Sequence, residues 1–257
     1  MPTTPPTSPR RPTTVAKTLS ALLTEPGRPR VTWYGPDGER IELSGAVLDN
    51  WVSKTTNLLV EELDAGPGTT VRVDLPPHWR SLVWTLAAWR VGATVLPPDA
   101  PDGDVVVTDR PDAAAPRDAA VVAVALPALA RRFDGDLPAG ALDAAASVMT
   151  YGDVVGWAPE VEPQREALAG GADGTVRHAD LLATAVGAAE QGPAAGVPGA
   201  RALLEVGDDR TTAPATALAV LGVLAGGGSV VLLRPEPGDD AARADRIAAT
   251  ERVTARA

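Results

Sequence analysis

Two histidines, no cysteine and one glycine-rich stretch bound the chemistry open to this chain of 257 residues. The stretch reads Gly170-Gly171-Ala172-Asp173-Gly174-Thr175-Val176-Arg177-His178. Closely spaced glycines free backbone amides to converge on an anion, and a hydroxyl or cation beside them completes a phosphate cradle. Gly170, Gly171, Gly174, Thr175 and Arg177 are the residues that would do this. Against it, Asp173 would set a negative charge beside a phosphate, and Thr175 is the segment's lone hydroxyl. The source of phosphate affinity is therefore thin. The competing reading is a surface loop without a ligand.

Other chemistries have less to build on. His78 at a predicted helix start reads as a cap or a partly buried ring rather than a general acid or base. Ser81 follows three residues later, but no Gly-x-Ser-x-Gly elbow surrounds it. Asp99, Asp102 and Asp104 lack the spacing of a calcium loop. They read as a solvated acidic turn, as do Asp208-Asp209 and Asp239-Asp240. The absence of cysteine removes disulfides, thiol catalysis and thiolate metal sites, and no metal is expected. A net charge of −10 argues against nucleic acid or an anionic membrane as the main partner. The apolar run from Ala217 to Leu233 is broken by three glycines and Ser229, so it reads as helix, turn and strand. Arg10 and Arg11 are not followed by a signal-type apolar stretch. A cytoplasmic protein is the expectation.

The elements that must position these residues are clearest between Ser44 and Asp99. Ser44 suits an N-cap, with Leu43 and Leu48 placed as a hydrophobic staple. Leu48, Trp51, Val52, Thr55, Leu59 and Leu63 form one helical stripe, with Lys54, Asn57 and Glu61 largely off it. Gly66-Pro67 stops this helix. Val71 to Leu75 is a strand ended by two prolines. A second helix starts near His78 and is apolar nearly all round, which predicts burial between layers. Trp79, Trp84 and Trp89 on it read as packing. Gly92 ends it, and Ala93 to Leu96 returns as a strand. Strand, crossover helix and strand predict a right-handed βαβ unit with parallel strands.

Along the rest of the chain, residues 1–14 are rich in Pro and Thr and read as a disordered tail. Val15 to Leu23 reads as a short helix. Val31 to Tyr34 and Arg40 to Leu43 read as a hairpin about a Gly-Pro-Asp-Gly turn. Asp104 to Thr108 and Ala119 to Ala125 are strands. Between them, Pro111 to Asp118 is a poor helix or a loop. Leu126 to Phe133 is expected to add a helical turn or two, and Gly152 to Gln164 to be a loop with Trp157 as an anchor. From Thr175 a helix is expected to run to about Glu190, followed by a Gly/Pro linker. Ala202 to Val206, Thr212 to Leu224, Ser229 to Leu233 and Asp239 to Arg252 read as strand, helix, strand and helix. Helices and strands alternate, so the class is α/β. Residues 15–257 are expected to form a single domain, with sub-layers at 15–190 and 200–257.

The segments LDAGPGTTVRVDLPPHW and LAAWRVGATVLPPD, with the helix before them, resemble the N-terminal part of the adenylate-forming superfamily, the AMP-binding acyl-CoA synthetases and ligases. TALAVLGVLAGGGSVVLLRP and the helix ending in ATERVT extend the resemblance over Val31 to Thr254. It implies layered, mostly parallel sheets with helices on both faces. It also equates Gly170 to His178 with the family's Ser/Thr/Gly-rich loop, which ends in Gly-x-Pro-Lys and cradles ATP phosphates. Here the hydroxyl run and the Pro-Lys pair are missing, and Arg177 is not at the motif's cationic position.

The resemblance further implies that the adenine, Mg²⁺ and ribose motifs and the small domain's Lys would lie beyond the chain's end. The expectation is thus a short, degenerate relative acting as a binding or interaction module, with no cofactor and an unidentified protein partner or self-association through an open sheet edge. The alternative is a residual enzyme of the AMP-forming ligase type, binding ATP, AMP or an acyl group and completed by a partner chain.

Overall fold

A computed structural model of the chain describes residues 11–112, 118–171, 174–192, 194, 197–236 and 241–256. Most of the expected tail, residues 1–10, lies outside them. Thr14, the tail's last residue, starts helix α1 (Val15–Leu22), its Oγ1 accepting from the Lys17 amide at 3.1 Å. Strands β1 (Pro29–Tyr34) and β2 (Arg40–Ser44) pair antiparallel about Gly35 to Glu39, where Asp37 and Gly38 take positive φ. Ser44 then caps α2 (Gly45–Glu61) by accepting from the Val47 amide at 3.3 Å. Such a cap contributes roughly 1 kcal/mol.

β3 (Thr70–Asp74), α3 (Trp79–Arg90) and β4 (Thr94–Leu96) form the expected βαβ unit, with Val71 opposite Val95 in parallel register. Every residue of α3 from Trp79 to Trp89 is buried. The three helical tryptophans are core residues, and Trp89 donates from Nε1 to the Ala167 carbonyl at 2.8 Å.

β5 (Val105–Thr108), β6 (Ala120–Ala123) and β7 (Leu142–Asp143) follow, then the four-residue α4 (Ala144–Ser147). Residues 113–117, in the segment read as a poor helix or a loop, are outside the described residues. No helix forms between Leu126 and Phe133. Arg80 instead draws three carbonyls of that segment onto its guanidinium, at 3.2–3.4 Å from Leu126, Pro127 and Ala128.

Next come β8 (Glu166–Gly171), β9 (Gly174–Arg177), α5 (Leu181–Gln191), β10 (Arg201–Glu205), α6 (Ala213–Ala225), β11 (Ser229–Leu233), α7 (Ala241–Thr250) and β12 (Ala255–Arg256). The helix expected from Thr175 begins only at Leu181. Thr175 to Arg177 instead pair antiparallel with β8 as the edge strand of the sheet.

The strands make two sheets. Seven lie in the order β7-β6-β5-β3-β4-β8-β9, and five in the order β12-β10-β11-β1-β2. The N-terminal hairpin therefore completes the C-terminal sheet, with Val31 opposite Val230. α3 and α6 meet within one apolar core that takes residues from both sheets, while α7 packs Ile247 and Ala248 against Leu203, Val231 and Leu233. α5 and α6 come so close that a Cβ on Gly222 would fall 1.9 Å from the Ala185 carbonyl oxygen. Among the described residues, no helix is long and apolar enough to cross a membrane.

Candidate functional site

Two places can be weighed as a site. The first is the tip of the β8–β9 hairpin. Gly170 (φ +66°) and Gly174 (φ +88°) turn the chain there. Ala172 and Asp173, between them, lie outside the described residues. Gly170, Gly174, Thr175 and Arg177 are all exposed. At the end of the hairpin away from this tip, Arg177 stands across from Glu166, and the shallow cleft beside it is lined by Thr175, Thr184, Glu166 and Asp180. Opposite charges stand across from each other in the strand register here. His178 follows, and burial holds its imidazole below the ordinary value despite opposing help from the Gly92 and Ala93 backbone.

The second place is the end of β3. β3 pairs with β4 on one side and β5 on the other. Strands leave it in opposite directions, and the crevice beyond the carboxyl ends at such a point is where open α/β sheets bind ligands. Asp74 is the last residue of β3 and only 7% exposed. Its carboxylate accepts from Arg110 at 2.9 and 3.2 Å, from Thr108 at 3.2 Å and from Arg210 at 3.3 Å. Arg210 follows β10 in the other sheet. It also donates to the Asp74 carbonyl at 2.6 Å and to both oxygens of Asp109, at 2.7 and 3.2 Å. Burial opposes the charge on Arg210, but Asp109 and Asp74 outweigh it and hold the guanidinium above its ordinary value. This cluster joins the carboxyl ends of the two sheets.

Past β3 the chain enters α3 through His78 and Arg80. His78 caps α3, its Nδ1 accepting from the Arg80 amide at 3.1 Å while its own amide donates to Ser81 Oγ at 3.0 Å. Its ring lies edge-on to Trp33 at 4.5 Å. Burial, helped by the nearby charges of Arg80 and Arg234, pushes its pKa down to about 3, so the ring is neutral near pH 7. Burial likewise lowers Arg80 to about 10, against the pull of Glu39. Arg80 lies over Trp79 at 4.3 Å. Glu39 ties β1 to the segment after β6, accepting from Trp33 Nε1 at 2.7 Å and from the Ala128 amide at 2.8 Å.

The acidic pairs singled out in the sequence are dispersed. Asp104 accepts from the amide and hydroxyl of Thr70, at 2.7 and 2.6 Å, and those bonds hold its pKa down. Asp208 pairs with Arg234, and Asp209 caps the turn before α6 by accepting from Thr211. Asp239 and Asp240 lie outside the described residues. Two expectations need correcting. Trp157 is no anchor, because its ring is in solvent. Asn57, placed off the buried stripe, is buried and bonds the loop that contains Trp157. Sequence reasoning misses the Asp74–Asp109–Arg110–Arg210 cluster altogether. Its partners lie up to 136 residues apart, and the Asp-Arg pair at the end of β5 is its only local signal.

No protein-family model matches the chain. A protein of Mycobacterium tuberculosis, whose name gives a family number and no activity, is 39% identical over 150 residues, covering 55% of this chain and 60% of that protein. Among solved structures, an acyl-CoA synthetase of Brucella canis superposes with a TM-score of 0.71 at 20% identity, over 95% of this chain and 46% of that one. A mutant amide bond synthetase from Marinactinospora thermotolerans gives 0.63 at 18% identity, over 93% and 47%. The N-terminal subdomain of NpsA from Klebsiella oxytoca gives 0.62 at 15% identity, over 94% and 59%. The chain thus spans about half the length of the solved structures it matches. Its fold is that of the N-terminal half of an AMP-binding ligase, an α/β fold with mixed, mostly parallel sheets.

Proposed function

We propose that this chain is a binding or interaction module on an adenylate-forming-ligase fold, and that it does not activate a carboxylate with ATP. The observation that carries this reading is where its charges go. Adenylation must hold a polyanion against a carboxylate, with cations aimed at both. At the open end of the β8–β9 hairpin, away from its glycine tip, Arg177 stands across from Glu166. At the end of β3, Arg110 and Arg210 already bond Asp74 and Asp109. A bound triphosphate would have to break those pairs. The occupant under this reading is another protein or a second copy of the chain, not nucleic acid, membrane or metal, and the location is the cytoplasm. Calorimetric titration with ATP, AMP and CoA tests it. No heat at about 1 mM ligand, the scale of a −4 kcal/mol interaction, supports the reading. Saturable heat with any of the three overturns it.

One observation favours a second reading, a residual nucleotide- or acyl-binding enzyme completed by a partner chain. Gly170 and Gly174 both take positive φ at the tip, and Arg177, three residues along β9 from Gly174, is in solvent. Gly171 would belong to the same loop. Under this reading Arg177→Ala removes whatever nucleotide heat is seen.

A further inference from the structure

The segment after the short turn Val148–Thr150 crosses the far half of α2 and is pinned from beneath. Buried Asn57 donates from Nδ2 to the carbonyls of Gly152 and Val154, at 3.1 and 3.0 Å, and accepts from the Gly156 amide at 3.2 Å. Lys54 donates to the Tyr151 carbonyl at 2.5 Å and pairs with Asp153 at 2.8 Å. Beyond Trp157, Pro159 lies against Gly66, where an added Cβ would come within 3.1 Å of its ring. The backbone is thereby fixed on both sides of Trp157.

The side chains face the other way. Val154 is 79% exposed and Trp157 68% exposed. The remaining tryptophans are buried or partly buried, so this one is set apart. An aromatic ring on an already ordered backbone loses little entropy when covered, and such residues dominate binding energy where they occur. The surroundings are acidic. Glu61 lies one helical turn beyond Asn57, and Glu62 accepts from the Tyr151 hydroxyl at 3.2 Å. Asp153 and Glu160 are exposed on the segment itself, while Lys54 is largely covered beneath it.

We infer that this surface docks a protein partner that offers an apolar socket for Trp157 ringed by lysines or arginines. A second copy of the chain is a poor occupant, because a symmetric contact would set these carboxylates against their own kind. An anionic membrane is opposed for the same reason. The inference deepens the interaction-module reading, yet the two fail separately: nucleotide heat bears on that reading alone, and the experiment below on this surface alone.

The test is calorimetry of the full chain with two synthetic amphipathic helices, one of leucine and lysine and one of leucine and glutamate. The lysine peptide should bind. Trp157→Ala should weaken it by about tenfold or more, and Glu62→Gln by about threefold. Because Trp157 is in solvent, Trp157→Ala should leave thermal unfolding unchanged, which separates lost docking from lost folding. Four results would overturn the inference: no binding, equal binding by Trp157→Ala, equal binding of the glutamate peptide, or a dimer in sedimentation that Trp157→Ala dissolves.

Discussion

In the β8–β9 hairpin the glycine tip is open, and Arg177 stands at the other end with one glutamate across from it; at the end of β3, Asp74 is enclosed by two arginines and a threonine. The tip has the glycines that a phosphate loop needs but little enclosure. The end of β3 has the buried charges and the position, yet those charges are committed to one another. A ligand site needs both at one place, as shape alone does not supply the electrostatic term. The ion cluster instead serves the fold, because Arg210 reaches from one sheet to two carboxylates of the other.

The largest effect is expected from Arg210→Ala. It leaves Asp74 and Asp109 without their shared cation. Removing one partner of a buried pair costs about 3–5 kcal/mol, and Arg210 keeps some exposure, so a loss of about 2–3 kcal/mol in urea unfolding is expected. A loss within about 0.5 kcal/mol would mean that the cluster is not structural.

Folding stability should also be acid-sensitive through His78. Its folded pKa of about 3 lies below the ordinary 6.5, so between those values the unfolded chain takes up a proton that the native chain refuses. This contribution is fully present above pH 6.5 and is lost as pH falls toward 3, by about 2 kcal/mol at pH 5. His78→Asn keeps a good capping acceptor and should flatten that part of the stability–pH curve. An unchanged slope would show that His78 does not cause it.

Effects at the tip should be smaller. Gly174 has φ +88° and open space around it, so Gly174→Ala should cost only the backbone strain, about 1 kcal/mol in thermal unfolding. Thr175→Ala and Arg177→Ala, on exposed positions, should stay within about 0.5 kcal/mol. A larger loss at Arg177 would place this hairpin, like the Asp74 cluster, among the elements that hold the fold.

What could be read beforehand follows the range of the interactions. α3 was legible because an apolar sequence bounded by His78 and Gly92 leaves one solution, burial between layers. β11 was legible because Ser229 to Leu233 is a short apolar run behind a glycine stop. The strand at Thr175 was not, because its conformation is set by pairing with β8 and not by its own residues. Asn57 looked like a polar surface position, and only the loop it bonds, 95 to 99 residues away, explains its burial. The glycines of the tip were visible in the sequence. The match of Arg177 with Glu166 depends on hairpin register, and the Asp74 cluster on how two sheets dock, which no local pattern records.

The most direct measurement is a crystal of the intact protein soaked with Mg-ATP. The account predicts no ordered triphosphate at the hairpin tip and an undisturbed Asp74–Arg210–Asp109 cluster. Triphosphate density along Gly170 to Thr175, or Arg210 swung from its carboxylates onto a phosphate, would contradict it.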